Sequence, residues 1–270
     1  MSKLTGQERI TACFAQAQEQ GHKAFIPFIT CGDPDLTTTR NLVNVMVANG
    51  ATMIELGIPF SDPTAEGPVI MAASERALAG GVTTDKIFDL VVTLRQDDHI
   101  TVPLVFMTYA NVVYSYGTER FMARCAQVGI DGMILPDVPF EEKEEFEVPA
   151  HKQGLALISM IAPTSHERIA KIAQSAHGFI YVVSSLGVTG TRTKFSSDLA
   201  SVVATIKQYT KLPCAIGFGI STPEQATAMG KLAEGAIVGS AIVKLIAAHK
   251  QAAPEVVGPY VKSMVEALQI

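Results

Sequence analysis

The 270-residue sequence has no apolar run long enough to cross a bilayer, few charges and no closely paired cysteines. A membrane-spanning helix needs about 20 consecutive apolar residues, so none is expected. Charged residues make up 17% of the chain and hydrophobic residues 48%. The charged share is below the rough quarter usual for globular proteins, and the composition argues for a sizeable core rather than disorder. Lys and Arg number 21 against 26 Asp and Glu, a net charge of −5. That balance disfavours nonspecific binding to nucleic acid or anionic lipid. Cys13, Cys31, Cys125 and Cys214 are scattered without a CxxC pair and read as structural thiols of a reducing compartment. The opening stretch MSKLTGQERITACFAQAQEQGHKAF is polar, has helical spacing and lacks the apolar core of a signal peptide. A cytoplasmic protein is expected.

Short apolar runs alternate with longer amphipathic stretches. Eight runs read as strands: Phe25–Ile29, Met53–Leu56, Leu104–Met107, Gly132–Leu135, Leu155–Met160, Phe179–Val183, Cys214–Ile216 and Ala236–Val238. Each is nearly all apolar, as parallel strands covered on both faces should be. Between them lie helical patterns such as 196–210, where Leu199, Val202, Val203 and Ile206 recur at i, i+3, i+4 and i+7. Thr222, Pro223 and Gln225 form a helix-start signal with a possible capping box. A further helix precedes the first strand over 1–19, and another follows the last over 253–268. No linker divides the chain. The pattern predicts one (β/α)8 barrel over 1–270, of the TIM-barrel class, with an extra N-terminal and an extra C-terminal helix. A doubly wound open sheet is the alternative.

In such a barrel the chemistry sits at the C-terminal strand ends. Those ends carry no Lys, which disfavours Schiff-base chemistry. They carry no His either; the six histidines fall on helices, loops or strand entrances and read as surface residues rather than metal ligands. What remains is carboxylate and hydroxyl chemistry. Glu55 stands out, because a carboxylate inside the apolar run MIELGIPF is costly to bury without a partner or a function. Desolvation would raise its pKa toward neutrality and suit it to acid–base work. Asp33 and Asp137 also lie near strand ends, although Asp33-Pro34-Asp35 reads first as a turn and helix entry. The acidic run 141–147 reads as the solvated start of a helix. Glycines after the sixth, seventh and eighth strands suggest a phosphate cradle, since backbone N–H groups approach a phosphate only where side chains stand aside. Ser240 opens the segment AIVKLIAAHK, whose N-terminus would favour an anion.

The stretch IELGIPFSDPTAEGPVI, 54–70, resembles the signature of the tryptophan synthase alpha subunit family. FIPFITCGDP (25–34), MTYANVVYSYG (107–117), ILPDVP (134–139), GVTG (187–190), GFGIS (217–221) and GSAIVK (239–244) match in the same order and spacing. The resemblance implies a barrel that cleaves indole-3-glycerol phosphate to indole and glyceraldehyde 3-phosphate in tryptophan biosynthesis, without cofactor or metal. It implies a beta subunit as partner in an alpha2beta2 heterotetramer, to which indole is passed. By motif, Glu55 corresponds to the acid that protonates the indole ring, and Glu66 stands where the family usually has Asp. Tyr181 and Thr189 would support the site, and Phe25 would touch the indole ring. Gly190, Gly219, Gly239 and Ser240 would hold the phosphate. Thr64 occupies a position that is usually apolar in the family, in a loop facing the partner. An alternative is a catalytically weakened subunit that serves mainly as activator of the beta subunit.

Overall fold

The computed structural model describes residues 4–183, 198–217 and 219–270. The apolar runs form β1 (Ala24–Thr30), β2 (Ile54–Gly57), β3 (Leu104–Met107), β4 (Gly132–Ile134), β5 (Ala156–Leu157), β6 (Ser159–Ile161), β7 (Ile180–Val183), β8 (Cys214–Gly217) and β9 (Gly235–Val238). All neighbours pair in parallel, in the order β5-β4-β3-β2-β1-β9-β8-β7-β6. The two ends of that order are consecutive in the chain, with only Ile158 between them. Ile158 N–H donates to Met133 O at 2.8 Å. The fifth expected strand is therefore one stretch whose first half pairs with β4 and whose second half pairs with β7. That shared stretch closes the ring, and the open doubly wound sheet is excluded.

Side chains alternate across each strand, and closure gives the alternation a meaning. Ala24, Ile26 and Phe28 of β1 join Val105, Met107, Tyr181, Val183 and Ile237 in an inner cluster. Phe25, Ile29, Leu56, Phe106 and Val182 belong to the outer cluster that packs under the helices. The N-terminal helix Gly6–Glu19 starts at a capping box between Thr5 and Glu8. Its Ile10 and Phe14 join the inner cluster, with the Phe14 and Phe179 ring centroids 5.5 Å apart. A Cβ on Gly132 would sit 2.7 Å from Ala156 O and 3.1 Å from Ile10, so that strand start must be bare for the helix to plug the barrel floor.

Local signals mostly act as their chemistry requires. Thr222 and Gln225 form the expected capping box on helix Pro223–Gly230. Asp35 caps helix Leu36–Ala48 by accepting from Thr38 N–H. The acidic run passes through a short 3-10 turn, Phe140–Glu142, into helix Glu144–Lys152. The C-terminal helix spans Ala253–Glu266. All four cysteines are buried and free, and burial pushes the Cys31 thiol up to about 12. Among the described residues no helix is long and apolar enough to cross a membrane.

The N-terminal face is tied by Asp131, which lies just before β4 and is buried. Its carboxylate accepts from Arg95 at 2.7 Å and from Leu104 N–H at 2.8 Å, and it pairs with Arg9 at 3.0 Å. Arg95 also donates to the carbonyls of Ile100, Val102 and Gly129. Removing one member of a buried ion network strands the others without compensation. Asp131→Ala should therefore lower unfolding free energy by about 3–5 kcal/mol, measured by urea denaturation. A loss below about 1 kcal/mol, the value of a surface pair, would show that the network does not hold the barrel floor.

Candidate active site

Glu55 sits at the centre of β2, in register with Phe28 of β1 on one side and Val105 of β3 on the other. It is 1% exposed, and among the described residues its Oε2 has no hydrogen-bond partner. A carboxylate with so little solvation resists ionising. Burial, and then the charge of Glu66, pushes its pKa up to about 8, so near neutral pH Glu55 keeps its proton.

Glu66 lies in the segment between β2 and helix Pro68–Ala79. Burial pushes it up to about 7. Its backbone is held on both sides. Ala65 N–H donates to Tyr109 Oη at 3.1 Å, and the Tyr109 ring stacks on Phe60 with centroids 5.1 Å apart. Gly67 begins the next helix, its carbonyl accepting from Ile70 and Met71 N–H, each at 3.1 Å. The charge of Glu66 is felt at Glu55, and the two carboxylates stand on different elements, one on a strand and one on a pinned loop. The other acidic strand ends are occupied elsewhere. Asp33 is clamped by Arg76 through two bonds of 2.8 and 2.7 Å. Asp137 accepts from Ala110 N–H at the start of helix Ala110–Tyr116.

Tyr181 is buried inside the barrel, and its hydroxyl pKa is raised by burial and by the charge of Glu55. A Cβ on Gly217 would overlap the Tyr181 ring, so β8 makes room for the phenol. The Phe25 expectation is corrected: Phe25 belongs to the outer cluster under the helices, and the inward aromatic of β1 is Phe28. A Cβ on Gly57 would come within 2.6 Å of the Phe28 ring, and one on Gly239 within 3.2 Å. The ring therefore lies between the end of β2 and the turn after β9. Phe28 and Tyr109 were both missed in the sequence. In FIPFIT the two phenylalanines fall on opposite faces, and a run buried on both sides gives no sign of which face is inner. The hydroxyls of Thr30 and Thr108 near the same strand ends are also buried without partners.

Gly219 has φ +89°, the left-handed region that glycine adopts without strain. Gly239 precedes the ten-residue helix Ser240–His249, whose first turn has no side-chain cap. Uncapped N–H groups at a helix start are suited to an anion. Thr189 and Gly190 lie outside the described residues.

A closed parallel barrel with two desolvated carboxylates and an anion-suited helix start defines the class of (β/α)8-barrel enzymes. The family model for the tryptophan synthase alpha chain matches residues 14–267. The tryptophan synthase alpha chain of Lacticaseibacillus casei is 51% identical over 245 residues, 91% of each chain. That of Lactiplantibacillus plantarum is 50% identical over 250 residues, 92% of this chain and 94% of the relative. The crystal structure of tryptophan synthase subunit alpha from Legionella pneumophila superposes with TM-score 0.88 at 37% identity, covering 96% of this chain and 98% of that one. The chain belongs to the tryptophan synthase alpha chain family, lyases that cleave indole-3-glycerol phosphate.

The raised pKa of Glu55 has a stability consequence. An unfolded glutamate loses its proton near its ordinary value of 4.5, whereas the folded one holds it to about 8. Across that window the folded state binds more protons, so stability falls as pH rises. Glu55→Gln removes the titration. It should be more stable than the wild type at pH 8 by at least the ~1.4 kcal/mol that one pKa unit represents, with the gap closing toward pH 4. Equal stability at both pH values would show that Glu55 ionises freely.

Proposed function

We propose that Glu55 and Glu66 divide the chemistry of a retro-aldol cleavage of indole-3-glycerol phosphate. The observation that carries this reading is Glu55 buried at the centre of β2, 1% exposed, with one carboxylate oxygen lacking a partner among the described residues and a second buried carboxylate, Glu66, in the segment that follows. Protonated Glu55 gives its proton to indole C3, and the ring becomes a cationic electron sink. Ionised Glu66 accepts the ring N–H and stabilises the positive charge. The newly formed Glu55 carboxylate then takes the proton of the hydroxyl on the carbon attached to C3. The C–C bond breaks, its electrons return to the ring, and the hydroxyl carbon leaves as the aldehyde. Glu55 ends protonated, indole keeps the proton delivered to C3, and glyceraldehyde 3-phosphate carries the phosphate away.

Phe28 is suited to flank the indole ring, and Tyr181 to flank Glu55. Gly219, Gly239 and Ser240 bind the phosphate; the roles expected of Thr189 and Gly190 fall outside the described residues. A beta subunit is the working partner in an alpha2beta2 heterotetramer. Ser61, Asp62 and Thr64, exposed on the same segment as Glu66, suit the rim it would contact. Tryptophan synthase of Mycobacterium tuberculosis contains a chain that superposes with TM-score 0.89 at 28% identity, covering 99% of this chain.

The mechanism needs Glu55 protonated and Glu66 ionised. With values of about 8 and about 7, kcat/KM for indole release should be bell-shaped, falling below pH 7 and above pH 8. Glu66→Gln should lower kcat by roughly 10²-fold or more, the scale of losing one catalytic charge, and should abolish the acid limb. Glu66→Asp should keep most of the turnover. A Glu66→Ala variant with wild-type turnover, assayed with a beta subunit present, would make Glu66 a bystander.

Ser240→Asp tests the phosphate site. A carboxylate at the helix start should repel the substrate phosphate and raise KM while leaving both limbs of the pH profile in place. An unchanged KM would move the phosphate elsewhere.

A further inference from the structure

Two of the six histidines do not behave as isolated surface residues. Glu147 and His151 stand one turn apart on helix Glu144–Lys152. His177 reaches them from the turn before β7. One donor atom from each of the three lies within 4.8 Å of the other two. The imidazoles meet edge to face, with centroids 4.3 Å apart and planes at 83°. His151 Nε2 is buried and has no hydrogen-bond partner among the described residues, which costs free energy that a ligand could recover.

We propose that Glu147, His151 and His177 form a structural site for a divalent transition metal of the zinc type, on the N-terminal face of the barrel. Two imidazoles and a carboxylate are the donors such ions take, with water completing a tetrahedron. Metal bonds of about 2.0–2.2 Å place ligand atoms about 3.5 Å apart, so at its widest the trio must draw in by about 1 Å, within the reach of side-chain rotation.

The surroundings are arranged for this. Gln7 Nε2 donates to His177 Nδ1 at 3.3 Å. A half-turn of that amide would let Oε1 accept an Nδ1 proton instead, leaving Nε2 to the metal, the second contact that metal-bound imidazoles commonly make. Lys143 Nζ donates to Glu147 Oε1 at 2.8 Å and to Ser175 O and Oγ at 3.1 Å each. It fixes one carboxylate oxygen and leaves the other for the ion, while its charge moderates the affinity. A bound ion would tie the helix before β5, the turn before β7 and, through Gln7, the N-terminal helix. These elements meet on the face opposite the carboxylate pair, so the effect is on stability.

The full-length protein, stripped of metal, is titrated with zinc and separately with cobalt(II). Expected are one equivalent bound per chain by equilibrium dialysis, a visible cobalt spectrum of low-coordinate type, and a melting temperature that rises with free zinc as ligand linkage requires. His151→Gln and His177→Gln should each abolish saturable binding, and Gln7→Ala should weaken it about tenfold, as loss of an outer contact does. Absence of saturable binding to the wild type would overturn the proposal. So would undiminished binding to the folded double variant His151→Gln/His177→Gln, because the ion would then sit on other surface groups. Should the double variant fail to fold, Glu147→Gln provides the same decision.

Discussion

The constraint on which the rest depends is that a closed ring of parallel strands has one inside. Each strand residue is committed either to that interior or to the layer beneath the helices, and a slip of one residue would exchange the two sets. Glu55, Phe28 and Tyr181 come from three strands and face one space because the alternation of β1, β2 and β7 is locked by closure through Ile158. The same commitment leaves Glu55 nowhere to find water. Its desolvation is a product of the fold, and its retained proton follows from that desolvation.

The carboxylates at the two ends of the barrel are treated in opposite ways. At the N-terminal face Asp131 is matched by Arg95, Arg9 and a backbone N–H, and Arg95 spends its remaining donors on carbonyls. Among the described residues, the hydroxyls of Thr30 and Thr108 and one oxygen of Glu55 are buried without partners at the C-terminal face, and His151 Nε2 is the one such atom at the other. Unmet polar groups are costly, and they cluster where a substrate rich in hydroxyl and ring N–H groups can meet them. Stability is built at the floor and spent at the mouth.

Much of this was legible in the sequence because the signals are local. Apolar runs of strand length, the Thr222–Gln225 capping box and a lone acid within MIELGIPF each carry their reason in a few neighbouring residues. What escaped depends on distant parts of the chain. The division of the fifth strand at Ile158 follows from ring closure. The choice of Phe28 over Phe25 follows from which face turns inward, a distinction that a doubly buried strand does not advertise. The approach of His151 to His177 is set by one helix and a turn that share no sequence motif. Tyr109 follows β3 in the chain, and only the fold brings its hydroxyl to Ala65 N–H.

Glu66 joins the local and the distant arguments. With one methylene more than the usual Asp, its oxygens reach about an ångström further, a displacement that can matter greatly for catalysis. A loose loop could retreat to compensate. Here the backbone before Glu66 is pinned by Tyr109, itself stacked on Phe60, and the backbone after it is fixed as the start of helix Pro68–Ala79. The accommodation must therefore come from the side chain's own rotation. A longer arm swinging from a fixed shoulder can still turn its carboxylate, and its charge adds to burial in raising the pKa of Glu55.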